Sequence, residues 1–286
     1  MATTSVGAIL SCAVPLALQA FFLPSDQGAR FCLYHSAGNG EARGAIIYLH
    51  PFAEEMNKSR RMVALQARAM AEAGFDVLQI DLLGCGDSAG DFADATWQAW
   101  LDDVSRAYHW LRTQSRAPLT LWGLRAGCLL ATEAVARLPE SANLVFWQPV
   151  VSGKQHWQQF MRLKMAGELA SGQAKGVTEQ LRQQLAAGQT VEIAGYSVSP
   201  GLADGLEKAE LKPPAVRPGR VSWFEVSTRE DASLAPVSQK CIGQWQVAGC
   251  TVDAQVVRGP SFWQTSEIED APDLLAATMA ALESGQ

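Results

Sequence analysis

Trp122-Gly123-Leu124-Arg125-Ala126-Gly127 joins an apolar, strand-like run (Leu119 to Leu124) to a helix-like one (Arg125 to Leu138) with no linker between them. The two glycines have the spacing of Gly-x-Ser-x-Gly, a sharp turn in which they leave room for a strained backbone and for close helix packing. In such a turn the middle side chain is held above the sheet at the first turn of a helix. Here that residue is Arg125. A guanidinium stays protonated and offers only donors, so it serves neither as nucleophile nor as general base. A cation is also unfavourable at a helix N-terminus unless an anion lies close by. The sequence leaves two sources for that anion open, an internal carboxylate from among Glu54, Glu55, Glu230 and Asp231, with Asp231 the expected partner, and an external ligand.

The same rhythm extends in both directions. Ala45 to His50 and Phe75 to Leu82 read as strands, each followed by a helical stretch: Lys58 to Ala73, ended by Gly74, and Thr96 to Thr113, with Thr96 placed as N-cap. Asn143 to Gln148 is a fourth strand after Leu119 to Leu124. Strand Arg220 to Val226, helix Pro236 to Val247, strand Thr251 to Val257 and helix Ala271 to Glu283 complete the series. Strands alternating with helices predict a mostly parallel sheet with crossover helices. Between residues 150 and 218 the rhythm breaks into two amphipathic helices, His156 to Leu169 and Val177 to Ala187, and a Gly- and Pro-punctuated segment. The expected organisation is therefore a core of residues 1–149 and 219–286 with a lid or cap insertion at 150–218.

Composition narrows the classes. With 286 residues the chain can bury about three quarters of its unfolded surface, so no staple is required. Net charge is -6 and no basic stripe stands out, which excludes nucleic acid as the expected partner. Six cysteines are scattered without a C-x-x-C pair, so they read as reduced thiols, and a cytoplasmic setting is expected; no metal or cofactor motif is read. The apolar run from Val6 to Phe22 has no preceding Lys or Arg, Arg30 being the first cation, and reads as a buried leading strand or hairpin.

Other loops resemble those of the α/β-hydrolase superfamily, which gives the expected fold. Asp81-Leu-Leu-Gly84-Cys-Gly86-Asp-Ser88 is similar to the Asp-x-x-Gly-x-Gly-x-Ser loop of that superfamily, with structural duty for its glycines. His50-Pro-Phe52-Ala-Glu54-Glu55 closes the first parallel strand where the superfamily often has His-Gly. That resemblance makes the N–H groups of Phe52 and Ala126 the candidate oxyanion donors. Glu230 and Asp231 follow the strand ending at Val226, the usual place of the triad acid. A triad histidine should follow the last strand, near Gly259 to Trp263, and none is there: His35, His50, His109 and His156 are the whole set. His50, at a strand end, is the best remaining base; His109 reads as a helix-face residue, His156 as a possible pocket residue and Cys128 as core.

Leu49-His-Pro-Phe-Ala-Glu-Glu-Met-Asn-Lys-Ser-Arg60, Arg30-Phe-Cys-Leu-Tyr-His35 and the Arg125 turn together resemble the exosortase A system-associated hydrolase 2 family, over nearly the whole chain. The resemblance implies a bacterial setting of exosortase, PEP-CTERM sorting and exopolysaccharide production, and carries over no catalytic residue. Three functions follow. The first binds a small anionic ligand at Arg125 with the Phe52 and Ala126 N–H groups, Glu54 and Glu230 standing nearby. The second hydrolyses an acyl or ester substrate with water activated by His50 or a carboxylate such as Asp231. The third is a non-catalytic scaffold that binds a protein partner of the exosortase pathway through Trp157 and Phe160.

Overall fold

The computed structural model describes residues 18–38, 40–170, 176–215 and 218–284, side chains of 165–170 excepted. The chain opens with β1 (Leu18–Leu23), β2 (Arg30–His35) and β3 (Gly44–Leu49), then α1 (Glu54–Glu72), β4 (Phe75–Ile80), α2 (Trp97–Gln114), β5 (Leu119–Leu124), α3 (Gly127–Val135) and β6 (Asn143–Trp147). Next come α4 (Gly153–Ala170), α5 (Val177–Ala186), the hairpin β7 (Val191–Ile193) and β8 (Tyr196–Val198), and α6 (Pro200–Lys208). β9 (Arg220–Ser227), α7 (Pro236–Val247), β10 (Thr251–Arg258) and α8 (Pro272–Ser284) close it.

Eight strands form one sheet in the order β1-β2-β4-β3-β5-β6-β9-β10. β2 runs antiparallel to both of its neighbours, β1 and β4, and the remaining pairs are parallel, so the crossover helices cover both faces, as the strand–helix rhythm predicts. All six residues of both β3 and β5 are buried, as expected of central strands between two helical layers. Alternate residues serve opposite cores. Ile46, Tyr48, Trp122 and Trp147 face α1 and α8 with Met62, Met70 and Leu274. Ala45, Ile47, Leu49, Leu121 and Phe146 face the α2, α3 and α7 side.

The segment between β6 and β9 shares that second core and has no separate one among the described residues. Trp157, Phe160, Leu181, Ile193, Leu202 and Leu206 are buried in it. Packing is close enough that a Cβ on Gly205 would lie 2.1 Å from Trp97 Cβ, and one on Gly153 would lie 1.9 Å from the Leu206 carbonyl. The Ala194-Gly195 turn of the β7–β8 hairpin has positive φ at both residues (51° and 83°), the two-residue geometry that suits strand twist.

One expectation changes at the N-terminal end. β1 is a strand, but it is an outer edge strand with Leu18 and Phe22 exposed, not a buried one; the remainder of the Val6–Phe22 run, with Cys12, lies outside the described residues. The hairpin is tied to the body through Arg30, whose Nε donates to Asp103 Oδ2 at 2.7 Å with both side chains fully buried. The same carboxylate oxygen accepts the Leu83 N–H at 2.8 Å, which joins β2, α2 and the loop after β4. In that loop a Cβ on Gly86 would sit 1.9 Å from Asp81 Oδ2, so the glycines there are structural, as expected. No helix among the described residues is long and apolar enough to cross a membrane.

Candidate functional site

Arg125 sits directly after β5 with φ 56°, a left-handed conformation that costs a non-glycine residue energy. Packing fixes it there. A Cβ on Gly123 would lie 2.7 Å from the Cys128 nitrogen, and one on Gly127 2.2 Å from the Leu49 carbonyl oxygen, so both turn glycines are required by close approach. The Arg125 N–H donates to the Trp147 carbonyl at 3.0 Å and anchors the turn to β6. Ala53 (φ 52°) and Gln148 (φ 42°) also have positive φ. These residues follow β3, β5 and β6, which neighbour one another in the sheet, so three strained positions line one carboxyl edge. Strain gathered in this way marks the site.

The guanidinium is held on three sides. Nε donates to Glu55 Oε1 at 3.2 Å, Nη1 to the Gln148 carbonyl at 3.4 Å, and the Trp263 ring centroid lies 5.5 Å from Cζ. Glu55 reaches it because α1 begins at Glu54, four residues earlier than predicted. Ala53 supplies no side-chain cap, so the usual start signal is missing, while Glu54 and Glu55 complement the positive end of the helix. Burial raises the Glu55 pKa, and the neighbouring Arg125 charge opposes that rise without cancelling it.

Asp231 was the expected internal partner of Arg125, and the structure replaces it with Glu55. The loop after β9 turns outward, where Glu230 pairs with Arg258 at 2.9 Å and Asp231 with Arg229 at 3.5 Å, all four side chains exposed. Trp263 stands in the loop after the last strand, where the superfamily's histidine was sought, and packs on the arginine that stands in the serine position. His50 is buried with both ring nitrogens engaged: Nδ1 donates to the Pro51 carbonyl at 2.8 Å and Nε2 accepts the Leu82 N–H at 3.3 Å. No lone pair is left for a water, which removes the physical basis for His50 as a base. His109 is exposed, and burial pushes the Cys128 thiol well up, which leaves it inert.

The N–H groups of Phe52 and Ala126 donate to no protein acceptor among the described residues. Ala126 is the N-cap of α3, so its N–H points out of the helix end. The Phe52 ring is fully buried, with Phe160 at 5.0 Å, Phe92 at 5.5 Å and His156 at 6.1 Å between centroids. Trp157 and Phe160, a partner surface in the scaffold reading but at a helical spacing more usual for lid core, are 1% and 6% exposed and form this packing.

A pocket of about 160 Å³ opens beside the guanidinium, lined by Arg125, Gln148, His156, Glu225 and Ser238 among others. His156 comes from α4, and its Nε2 is buried without a hydrogen-bond partner. Burial first, and the Arg125 charge second, lower its pKa to about 3, so the imidazole is neutral near pH 7. Trp263 Nε1, Glu54 Oε2 and Glu55 Oε2 are also buried and unpartnered. Buried polar atoms without partners are uncommon, and here four of them lie on residues that touch Arg125, line its pocket or precede its partner. Glu225 and Gln148 were missed in the sequence. The one available signal was a carboxylate in the middle of the buried run Val221-Ser-Trp-Phe-Glu225-Val226.

Sheet order and the strand-to-helix turn after β5 together define an α/β-hydrolase-fold protein. Residues 40–198 match the Hydrolase_4 family, described as serine aminopeptidase, S33, and the chain belongs to that family. Protein ABHD12B of Homo sapiens is 31% identical over 116 residues, which are 40% of this chain and 31% of that protein, so the chain spans only that fraction of the relative. Est1E from Butyrivibrio proteoclasticus, solved with ferulic acid, superposes with TM-score 0.62 at 13% identity over 93% of this chain and 97% of its own. A thermostable carboxyl esterase from Bacillus coagulans gives 0.60 at 12% identity over 94% and 99%. Proline iminopeptidase of Mycobacterium smegmatis gives 0.57 at 16% identity over 93% and 98%. At these identities the structures share the fold.

Proposed function

We propose that this chain is an α/β-hydrolase-fold protein without a working serine triad, which binds a carboxylate at Arg125 beneath the segment between β6 and β9. The observation that carries the reading is the paired replacement at the turn: Arg125 in the serine position, stacked on Trp263 in the loop where a histidine would be needed. Arg125 stands at the N-terminal end of α3, next to the free Ala126 N–H, and shares its pocket with the unpartnered His156 Nε2, a setting that favours an anion. Glu55 takes the Nε side of the guanidinium and the Gln148 carbonyl takes Nη1, which leaves Nη2 without a protein acceptor among the described residues. The negative charge of Glu55 favours a singly charged carboxylate over a phosphate dianion. The family resemblance of the sequence suggests a role in exosortase-linked sorting and exopolysaccharide systems, and Cys32, Cys85, Cys128 and Cys241, buried free thiols, suit the cytoplasm.

One observation favours a second reading, hydrolysis by carboxylate-activated water. Glu55 is a buried acid with a raised pKa beside two free N–H donors, a combination found in general acid–base sites. A thermal-shift series with acetate, formate and phosphate on the parent and on Arg125→Met/Glu55→Gln, assayed beside p-nitrophenyl acetate turnover, separates the readings. Carboxylate-dependent stabilisation in the parent alone, without turnover, is the expected result. Ester turnover that is lost in the double variant would establish the second reading.

A further inference from the structure

We infer that the ligand of this pocket is a small zwitterion of the amino-acid type, its carboxylate on Arg125 and its ammonium on Glu225. The inference rests on the carboxylate reading above and goes beyond it. Arg125 and Glu225 line the same pocket of about 160 Å³ from different strands, one at the end of β5 and one within β9. Neither charge cancels the other. Arg125 donates through Nε to Glu55 and through Nη1 to the Gln148 carbonyl, which leaves Nη2 for the ligand, and no ion pair links Arg125 to Glu225 among the described residues.

Glu225 is 7% exposed, and one carboxylate oxygen, Oε2, accepts the Ala235 N–H at 2.9 Å. That bond fixes the side chain and leaves the second oxygen as an acceptor. A buried carboxylate without a cationic partner is costly, and a ligand ammonium would relieve that cost. A plain carboxylate would meet the Arg125 charge but also the repulsion of Glu225, and a plain amine the reverse. Only a ligand carrying both charges a short distance apart satisfies both walls.

The remaining lining fits the same assignment. His156 is neutral, so it adds no third charge, and its unpartnered Nε2 offers one hydrogen bond to either end of the ligand. Gln148 is held in place by Val226, whose N–H donates to its Oε1 at 2.7 Å, so this wall is preformed. The volume accommodates an amino acid with a short side chain.

Titration calorimetry at neutral pH with L-alanine, propionate and ethylamine, first on the parent and then on Glu225→Gln, tests the assignment. L-alanine should bind at least tenfold more tightly than propionate, with ethylamine weakest. Glu225→Gln, which keeps an acceptor for the Ala235 N–H, should bring L-alanine to within about twofold of propionate. Propionate binding with no gain for L-alanine would overturn the zwitterion and leave the carboxylate reading standing. Failure of both acids to bind would overturn the carboxylate reading itself. An L-alanine preference that survives Glu225→Gln would remove Glu225 from the site. Should that variant not fold, the parent comparison still decides.

Discussion

Arg125 Nε lies 3.2 Å from Glu55 Oε1, an ion pair that ties the turn after β5 to the first turn of α1 with both side chains nearly buried. A pair of this kind adds little net stability when whole, yet breaking it leaves a charge in a place that cannot hydrate it. Arg125→Ala should therefore lower stability by about 3–5 kcal/mol at pH 8, read from urea midpoints. Because the Glu55 pKa is already raised, the stranded acid takes up a proton as pH falls, and the deficit should shrink toward pH 5. An unchanged midpoint at pH 8 would show that the pair has no structural weight.

His156 sets an opposing pH dependence. Its folded pKa, about 3, lies below the ordinary value of 6.5, so the unfolded chain binds more protons between those limits. The stability it contributes is complete above about pH 6.5 and is lost as pH falls, with a slope of up to about 1.4 kcal/mol per pH unit. Glu55 works the other way: its folded pKa is raised, so it favours folding below the unfolded value of 4.5 and disfavours it as pH climbs through the raised one. Comparing His156→Gln with the parent isolates the histidine, and the variant should show a flatter acid limb in denaturation midpoint against pH. Parallel curves would place His156 outside the buried site.

Gly127→Ala places a Cβ 2.2 Å from the Leu49 carbonyl oxygen and 2.8 Å from that of His50, backbone atoms that cannot step aside. A loss of about 3 kcal/mol or more is expected, at the upper end of overpacking costs. Gly243→Ala, inside α7 with nothing within 4 Å of the added carbon, should instead gain about 0.5–1 kcal/mol from helix propensity. Thermal midpoints that move in the same direction for both would contradict the packing described for the turn.

Serine-directed organophosphonates should leave the protein unlabelled by intact-mass measurement. Arg125→Ser alone should not create an esterase, because His50 has both nitrogens committed to backbone groups and Trp263 fills the opposite wall. Stoichiometric labelling of the parent, or ester turnover by Arg125→Ser well above it, would reverse the assignment of the site.

The sheet was legible because its signals are local. Apolar runs of six residues separated by helical periods predict β3, β5, β6, β9 and β10 within a residue or two, and Thr96 caps α2 as expected by accepting the Ala99 N–H at 3.0 Å. The Gly123–Gly127 spacing likewise predicts the turn. What escaped was set at a distance. β7 and β8 have only three residues each, too few for an alternating pattern to show, and α1 gained its first turn without a capping side chain. Glu55 and Glu225 could not be told from surface acids such as Asp231 by composition, because their burial depends on which strands and helices meet at one edge.

The central claim is that the guanidinium of Arg125 holds an external carboxylate, and titration calorimetry of acetate at pH 7.5 against the parent and Arg125→Met/Glu55→Gln addresses it most directly. The double variant removes both charges together and so avoids stranding Glu55. Saturable acetate binding to the parent that disappears in the folded double variant is the expected result. Equal binding by the two proteins, or none by the parent, would contradict it.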